Sequence, residues 1–170
     1  MANFCLQCVG FNVASETVVL QEHGKLHAGH VHVGHVSVTE AWQRLEREPK
    51  AQLVDVRTKA EWNFVGVPDL APVHRSAILI EWQSYPQGTT ASDFVERCSE
   101  ALLQAGAGSD TDVFFLCRSG ARSLSAARAM AASGFTKCHN VDDGFEGPLD
   151  DHRHRACGGW KAAGLPWYQG

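Results

Sequence analysis

The chain has 170 residues, 44% of them apolar and 20% charged, with a formal net charge of −4. A chain of this length forms one core with a short extension, and the composition is that of a globular protein. The acidic balance argues against a general nucleic-acid binder, and no apolar run approaches the roughly 18 residues that span a bilayer.

Residues 1–34 show no regular pattern and are rich in histidine, so an N-terminal extension is expected there, with a domain over 35–170. A basic stretch followed by an apolar one, the mark of a secretory signal, is missing from the N-terminus. The expected location is therefore cytoplasmic, where the six cysteines stay reduced. Cys5 and Cys8 form a C-x-x-C pair, with His23, His27, His30, His32 and His35 after them. Thiolate and imidazole suit zinc. The spacing matches no standard finger, however, and glycines interrupt any single helical face, so no metal site is expected. Redox chemistry at this pair lacks the strand-to-helix setting that C-x-x-C needs.

In chain order, Ser37-Val38-Thr39-Glu40 has capping-box spacing and predicts a helix over 39–48. Gln52-Leu53-Val54-Asp55-Val56 reads as a buried strand. Thr58-Lys59-Ala60-Glu61 repeats the cap signal for a short helix ending near Gly66. A strand is expected at 77–80, and a longer helix over 91–104 with Gly106 beyond its end. Residues 112–116 read as a strand, 119–133 as a helix stopped by Gly134, and 137–141 as the last strand. This alternation implies an α/β domain with a mainly parallel sheet, whose ligands lie beyond the carboxyl ends of the strands. Asp55 and Cys117 both fall near such ends.

The segment Cys117-Arg118-Ser119-Gly120-Ala121-Arg122 therefore joins a strand to a helix. A helix start carries unpaired N–H groups and partial positive charge, which favour a thiolate and bind anions. This makes Cys117 the candidate nucleophile, with Arg118 and Arg122 at its sides. Arg118 is expected to bind an anionic substrate. Arg122 either does the same or pins the loop to a carboxylate in bidentate fashion. Ser119 and Ser123 either donate to the sulfur or cap the helix. Gly120 permits the tight curvature. Asp55, Arg57 and Glu61 are expected as supports: Arg57 and Glu61 are spaced to pair at i, i+4, and Asp55 could accept hydrogen bonds from the loop. Cys98, Cys138, Cys157 and the remaining histidines are expected to be bystanders.

Three segments resemble the rhodanese family of sulfurtransferases. They are Leu53 to Trp62, similar to D-V-R-x-x-x-E-[FWY]; the Cys117 loop with Ser123; and Asn140-Val141-Asp142-Asp143-Gly144-Phe145-Glu146-Gly147 with the Gly159 to Trp167 stretch. The resemblance covers roughly 36–168. It implies a three-layer α/β fold and a reaction in which Cys117 takes a sulfane sulfur from thiosulfate or a similar donor, carries it as a persulfide and passes it to cyanide or a thiol. It calls for a small sulfur donor and a small-molecule or protein thiol acceptor, with no cofactor, nucleic acid or membrane. Cysteine phosphatases of a similar fold are the alternative, but their C-x-x-x-x-x-R loop is one residue longer and is often preceded by His where Leu116 stands. A non-catalytic sulfur-carrier or binding module is the other. Gly66-Val67-Pro68-Asp69-Leu70-Ala71 departs from the family pattern, and an insertion at 66–76 is expected beside the active-site rim.

Overall fold

The structure, a computed structural model, describes residues 32–155 and 157–170. The expectations for Cys5, Cys8, His23, His27 and His30 lie outside these residues. No helix among the described residues is long and apolar enough to cross a membrane.

Capping sets the first two helices. Ser37 Oγ accepts the Glu40 N–H and starts α1 (Val38–Arg47), which follows β1 (Gly34–Val36). After β2 (Gln52–Asp55), Thr58 and Glu61 form a full capping box at the start of α2 (Lys59–Val65), and Gly66 ends it. Next come β3 (Val67–Pro68), a 3-10 turn at Ala71–Val73, and β4 (Ile78–Leu79). The helix expected over 91–104 begins later, as α3 (Phe94–Gln104). Ala91 is drawn into a turn instead, its N–H donating to Trp82 O at 3.0 Å. Then follow β5 (Val113–Leu116), α4 (Ala121–Ala132), β6 (Cys138–Val141), α5 (Gly159–Ala162) and β7 (Trp167–Tyr168).

Five strands form a wholly parallel sheet in the order β1-β6-β5-β2-β4. A separate antiparallel pair joins β3 to β7. Side chains alternate across a strand, and β5 shows what this does. Val113, Phe115 and Cys117 enter one core with Phe94, Cys98 and Leu102 of α3 and Ala126, Ala127 and Met130 of α4. Phe114 and Leu116 enter the other with Ala41 and Leu45 of α1 and Trp160 of α5. Two buried cores on opposite faces of one sheet make three layers. With β5 central and α4 behind it, the β5–α4 turn lies at the carboxyl edge of the sheet.

Candidate active site

Cys117 is 1% exposed, and its Sγ accepts from the Gly120 N–H and the Ser123 Oγ, each at 3.2 Å. Of the unpaired N–H groups expected at the helix start, Gly120 supplies this contact. Neither serine caps the helix: Gly120 is its N-cap, with no side-chain cap bond, and Ser123 lies inside the first turn. Gly120 has φ +92°, and a Cβ there would collide with Asp142 O.

A second loop holds the first from behind. The Phe145 N–H donates to Cys117 O at 2.8 Å, and the Glu146 N–H to Arg118 O at 3.0 Å. Both carbonyls are thereby engaged away from the sulfur. This needs a very close approach at Gly144, where φ is +65° and a Cβ would lie 2.5 Å from the Arg118 backbone.

The two arginines diverge. Arg122 gives its fork to Glu61, Nη1 to Oε2 at 2.8 Å and Nη2 to Oε1 at 2.6 Å. This is the pinning alternative, and it ties α4 to α2. Arg118 is exposed and lines the cleft over Cys117, with no salt-bridge partner among the described residues. It is the uncompensated cation available to an anion.

Arg57 does not pair with Glu61. Both are buried or half-buried, but Arg57 Nε and Nη2 donate to the Asp55 carboxylate, the shortest contact being 2.6 Å. Arg57 Nη2 also donates to Gly66 O at 2.7 Å, and the guanidinium lies 3.9 Å from the Phe145 ring centre. Strand alternation explains the difference. Asp55 is in register with Leu116, so it faces the α1/α5 core, away from Cys117. The Asp55 carboxylate therefore receives Arg57 rather than the cysteine loop.

Burial pushes the Glu61 carboxyl upward, but the bonds from Arg122 and Thr58 outweigh it and hold the pKa down at about 2, against an ordinary 4.5. A carboxyl whose folded pKa is depressed stabilises the fold above its unfolded pKa, and the contribution is lost as pH falls through the folded one. Urea unfolding of the wild type should therefore lose about 1–2 kcal/mol from this group between pH 4.5 and 2, allowing for solvent screening. Glu61→Gln should be weaker at neutral pH and flatter across that window, its curve meeting the wild type near pH 2. Parallel curves would show that the pair carries no such linkage.

The cleft holds about 600 Å³ and reaches down to Cys117. Phe64 and Val65 of α2 line one part, Gln83 to Pro86 with Gly88 another, and Arg118, Ser119 and Ala121 lie beside Cys117. The segment 66–76, expected beside the rim, does not itself line the cleft. Val67 begins β3, pairs with β7 and, with Pro68 to Ala71 and Arg75 to Ala77, lines a separate depression. The tyrosine-bearing loop at 83–88 is the rim, closed on itself by the Ser84 N–H to Thr89 O bond at 3.0 Å. The other cysteines among the described residues are Cys98, Cys138 and Cys157, and none of them lines the cleft. Burial pushes the Cys98 and Cys138 thiols up to about 12, and Cys157 is exposed far along the chain.

Asn140, Gly144 and Phe145 fall in a motif that by itself assigns them no role, and no motif marks the 83–88 rim. An asparagine within an otherwise buried strand was the available signal for Asn140, since buried polar groups need partners.

A family model described as "STR4 middle domain" matches residues 33–170. The crystal structure of Rv0390 from M. tuberculosis is 45% identical, with a TM-score of 0.71, covering 82% of this chain and 99% of that one. An uncharacterized protein of Rickettsia prowazekii is 38% identical over 129 residues, 76% of this chain and 92% of that protein. Rhodanese-like domain-containing protein 4, chloroplastic, of Arabidopsis thaliana is 26% identical over 133 residues, 78% of this chain and 25% of that protein. The matched span holds the five-stranded sheet and every residue described around Cys117, and on that ground the chain belongs to the STR4 middle-domain family, a rhodanese-like family.

Proposed function

We propose that the protein is a sulfurtransferase working through a persulfide on Cys117. The observation that carries this reading is the seating of the sulfur: Sγ is held by the Gly120 N–H and the Ser123 hydroxyl at the floor of a cleft that also exposes Arg118. Such donors stabilise a thiolate and a persulfide anion without a separate base. With thiosulfate as donor, the thiolate attacks the outer sulfur. The sulfur–sulfur bond breaks, and sulfite leaves with the bonding pair. An acceptor thiolate or cyanide then attacks the outer sulfur of the persulfide, and the Cys117 thiolate returns. The chemistry suits a reducing compartment such as the cytoplasm. Incubation with thiosulfate should add the mass of one sulfur atom to the peptide bearing Cys117, and an unmodified peptide would sink the reading.

Phe64 is 79% exposed and Tyr85 71%, and both line the cleft. With Val65 and Pro86 they make apolar walls that cyanide does not use, which supports an organic thiol as acceptor. The double change Phe64→Ala and Tyr85→Ala should lower kcat/KM for an aryl or alkyl thiol about 10-fold, while transfer to cyanide stays within about twofold. Equal losses with both acceptors would mean the walls do not select.

A further inference from the structure

A line of polar side chains runs from the buried sulfur to the surface. Ser123 Oγ lies 3.2 Å from Cys117 Sγ, 3.0 Å from Gly120 O and 2.7 Å from Asn140 Oδ1. Asn140 Nδ2 donates to Asp142 Oδ1 at 2.6 Å, and that oxygen also meets His35 Nδ1 at 2.7 Å. Ser123 and Asn140 are 0% and 3% exposed, whereas Asp142 and His35 open to solvent.

The orientation of each group follows from what it can donate. A carboxylate only accepts, so Asp142 fixes the Asn140 amide with its nitrogen outward and its oxygen toward Ser123. Ser123 has a single hydroxyl hydrogen and three acceptors in reach. The shortest contact is to Asn140, and a hydrogen directed there turns the lone pairs of Oγ toward sulfur. That arrangement accepts the S–H of a thiol and opposes a thiolate. Formation of the thiolate draws the hydroxyl round to Sγ, since a bond to a charged acceptor is the stronger one. Asn140 Oδ1 is then left without this donor in a buried place, which carries a cost. A carboxamide does not pass protons along, so the line orients and does not conduct.

We propose that Asn140, held by Asp142, is a positioning residue that competes with Cys117 for the Ser123 hydroxyl and so sets the pH at which the cysteine becomes a nucleophile. The proposal rests on the sulfurtransferase reading for its purpose, but its test does not use sulfur transfer. The other charged groups around the sulfur are Arg118 and Arg122 of the loop and Glu61 of α2 paired to Arg122, with the Asp55–Arg57 pair turned to the opposite face of the sheet. They are unchanged by substitution at 140.

The test is the rate of iodoacetamide alkylation of Cys117 across pH, read by peptide mass. In Asn140→Leu the hydroxyl loses its nearest acceptor and is shared between sulfur and Gly120 O alone, and the midpoint of the rate profile should move down by about one pH unit, the equivalent of one unsatisfied buried acceptor. In a Ser123→Ala background the same substitution should leave the midpoint within about 0.3 unit. An unmoved midpoint in Asn140→Leu, or a shift that persists without the serine, overturns the proposal. Should that variant fail to fold, Asp142→Ala at its half-exposed position releases the amide instead. Its downward shift must likewise shrink when Ser123 is absent, because a purely electrostatic effect of the lost carboxylate would persist. Failure of the persulfide experiment alone would remove the sulfurtransferase reading and leave this competition intact.

Discussion

Cys117→Ser is expected to reduce sulfur transfer by more than about 10³-fold, because a covalent route has no substitute for its nucleophile. The sulfur mass should vanish from the loop peptide at the same time. Serine is close in shape and can keep the Gly120 N–H contact, so the fold should survive and the loss should be one of kcat. Among the described residues the other thiols should not rescue it: Cys98 and Cys138 are buried on the core side with their ionisation pushed up to about 12, and Cys157 does not line the cleft. Steady-state transfer from thiosulfate, with unfolding midpoints measured alongside, checks both halves of this statement. A Cys117→Ser protein that still transfers sulfur would end the proposal. Turnover of an aryl phosphate by the wild type without any sulfur transfer would move the reading to the phosphatase alternative.

The sequence showed those parts of the molecule whose signals are local. Ser37 and Thr58 marked helix starts because a cap is a contact over three residues. The strand-to-helix placement of Cys117 followed from the apolar run before it and the alanine-rich run after it. What was hidden depends on which face of the sheet a side chain takes and on how distant loops meet. Arg57 and Glu61 have a spacing that suits pairing on a helix, yet Arg57 precedes the helix and turns with Asp55 to one face, leaving Glu61 for Arg122, 61 positions along the chain. The departure at 66–76 was visible, but its destination was not, because pairing of Val67 and Pro68 with Trp167 and Tyr168 is a long-range event. The same holds for Gly144. Its role comes from the Arg118 backbone lying against it, and nothing near it in sequence records that contact.

The Asp55–Arg57 pair has the largest expected effect on stability. Both side chains are 0% exposed, and the salt bridge is 2.6 Å long. Two charges withdrawn from water this far are stable only together, since removal of one strands the other. Asp55→Ala should accordingly cost about 3–5 kcal/mol in urea unfolding, a large share of what holds a domain of this size. The double change Asp55→Leu with Arg57→Met should cost clearly less than the single one, because no charge is left behind and the space is refilled by apolar groups. A single variant as stable as the wild type, or a double variant worse than the single, would show that the pair is not acting as a compensated buried charge. The position explains why so expensive a pair is placed here. Asp55 Oδ1 accepts the Arg57 N–H at 3.0 Å, and Arg57 Nη2 holds Gly66 O, so the two residues fix both ends of α2. That helix presents Glu61 to Arg122 and Phe64 to the cleft. The buried pair therefore reaches Cys117 without touching it, by setting the helix against which its loop is pinned.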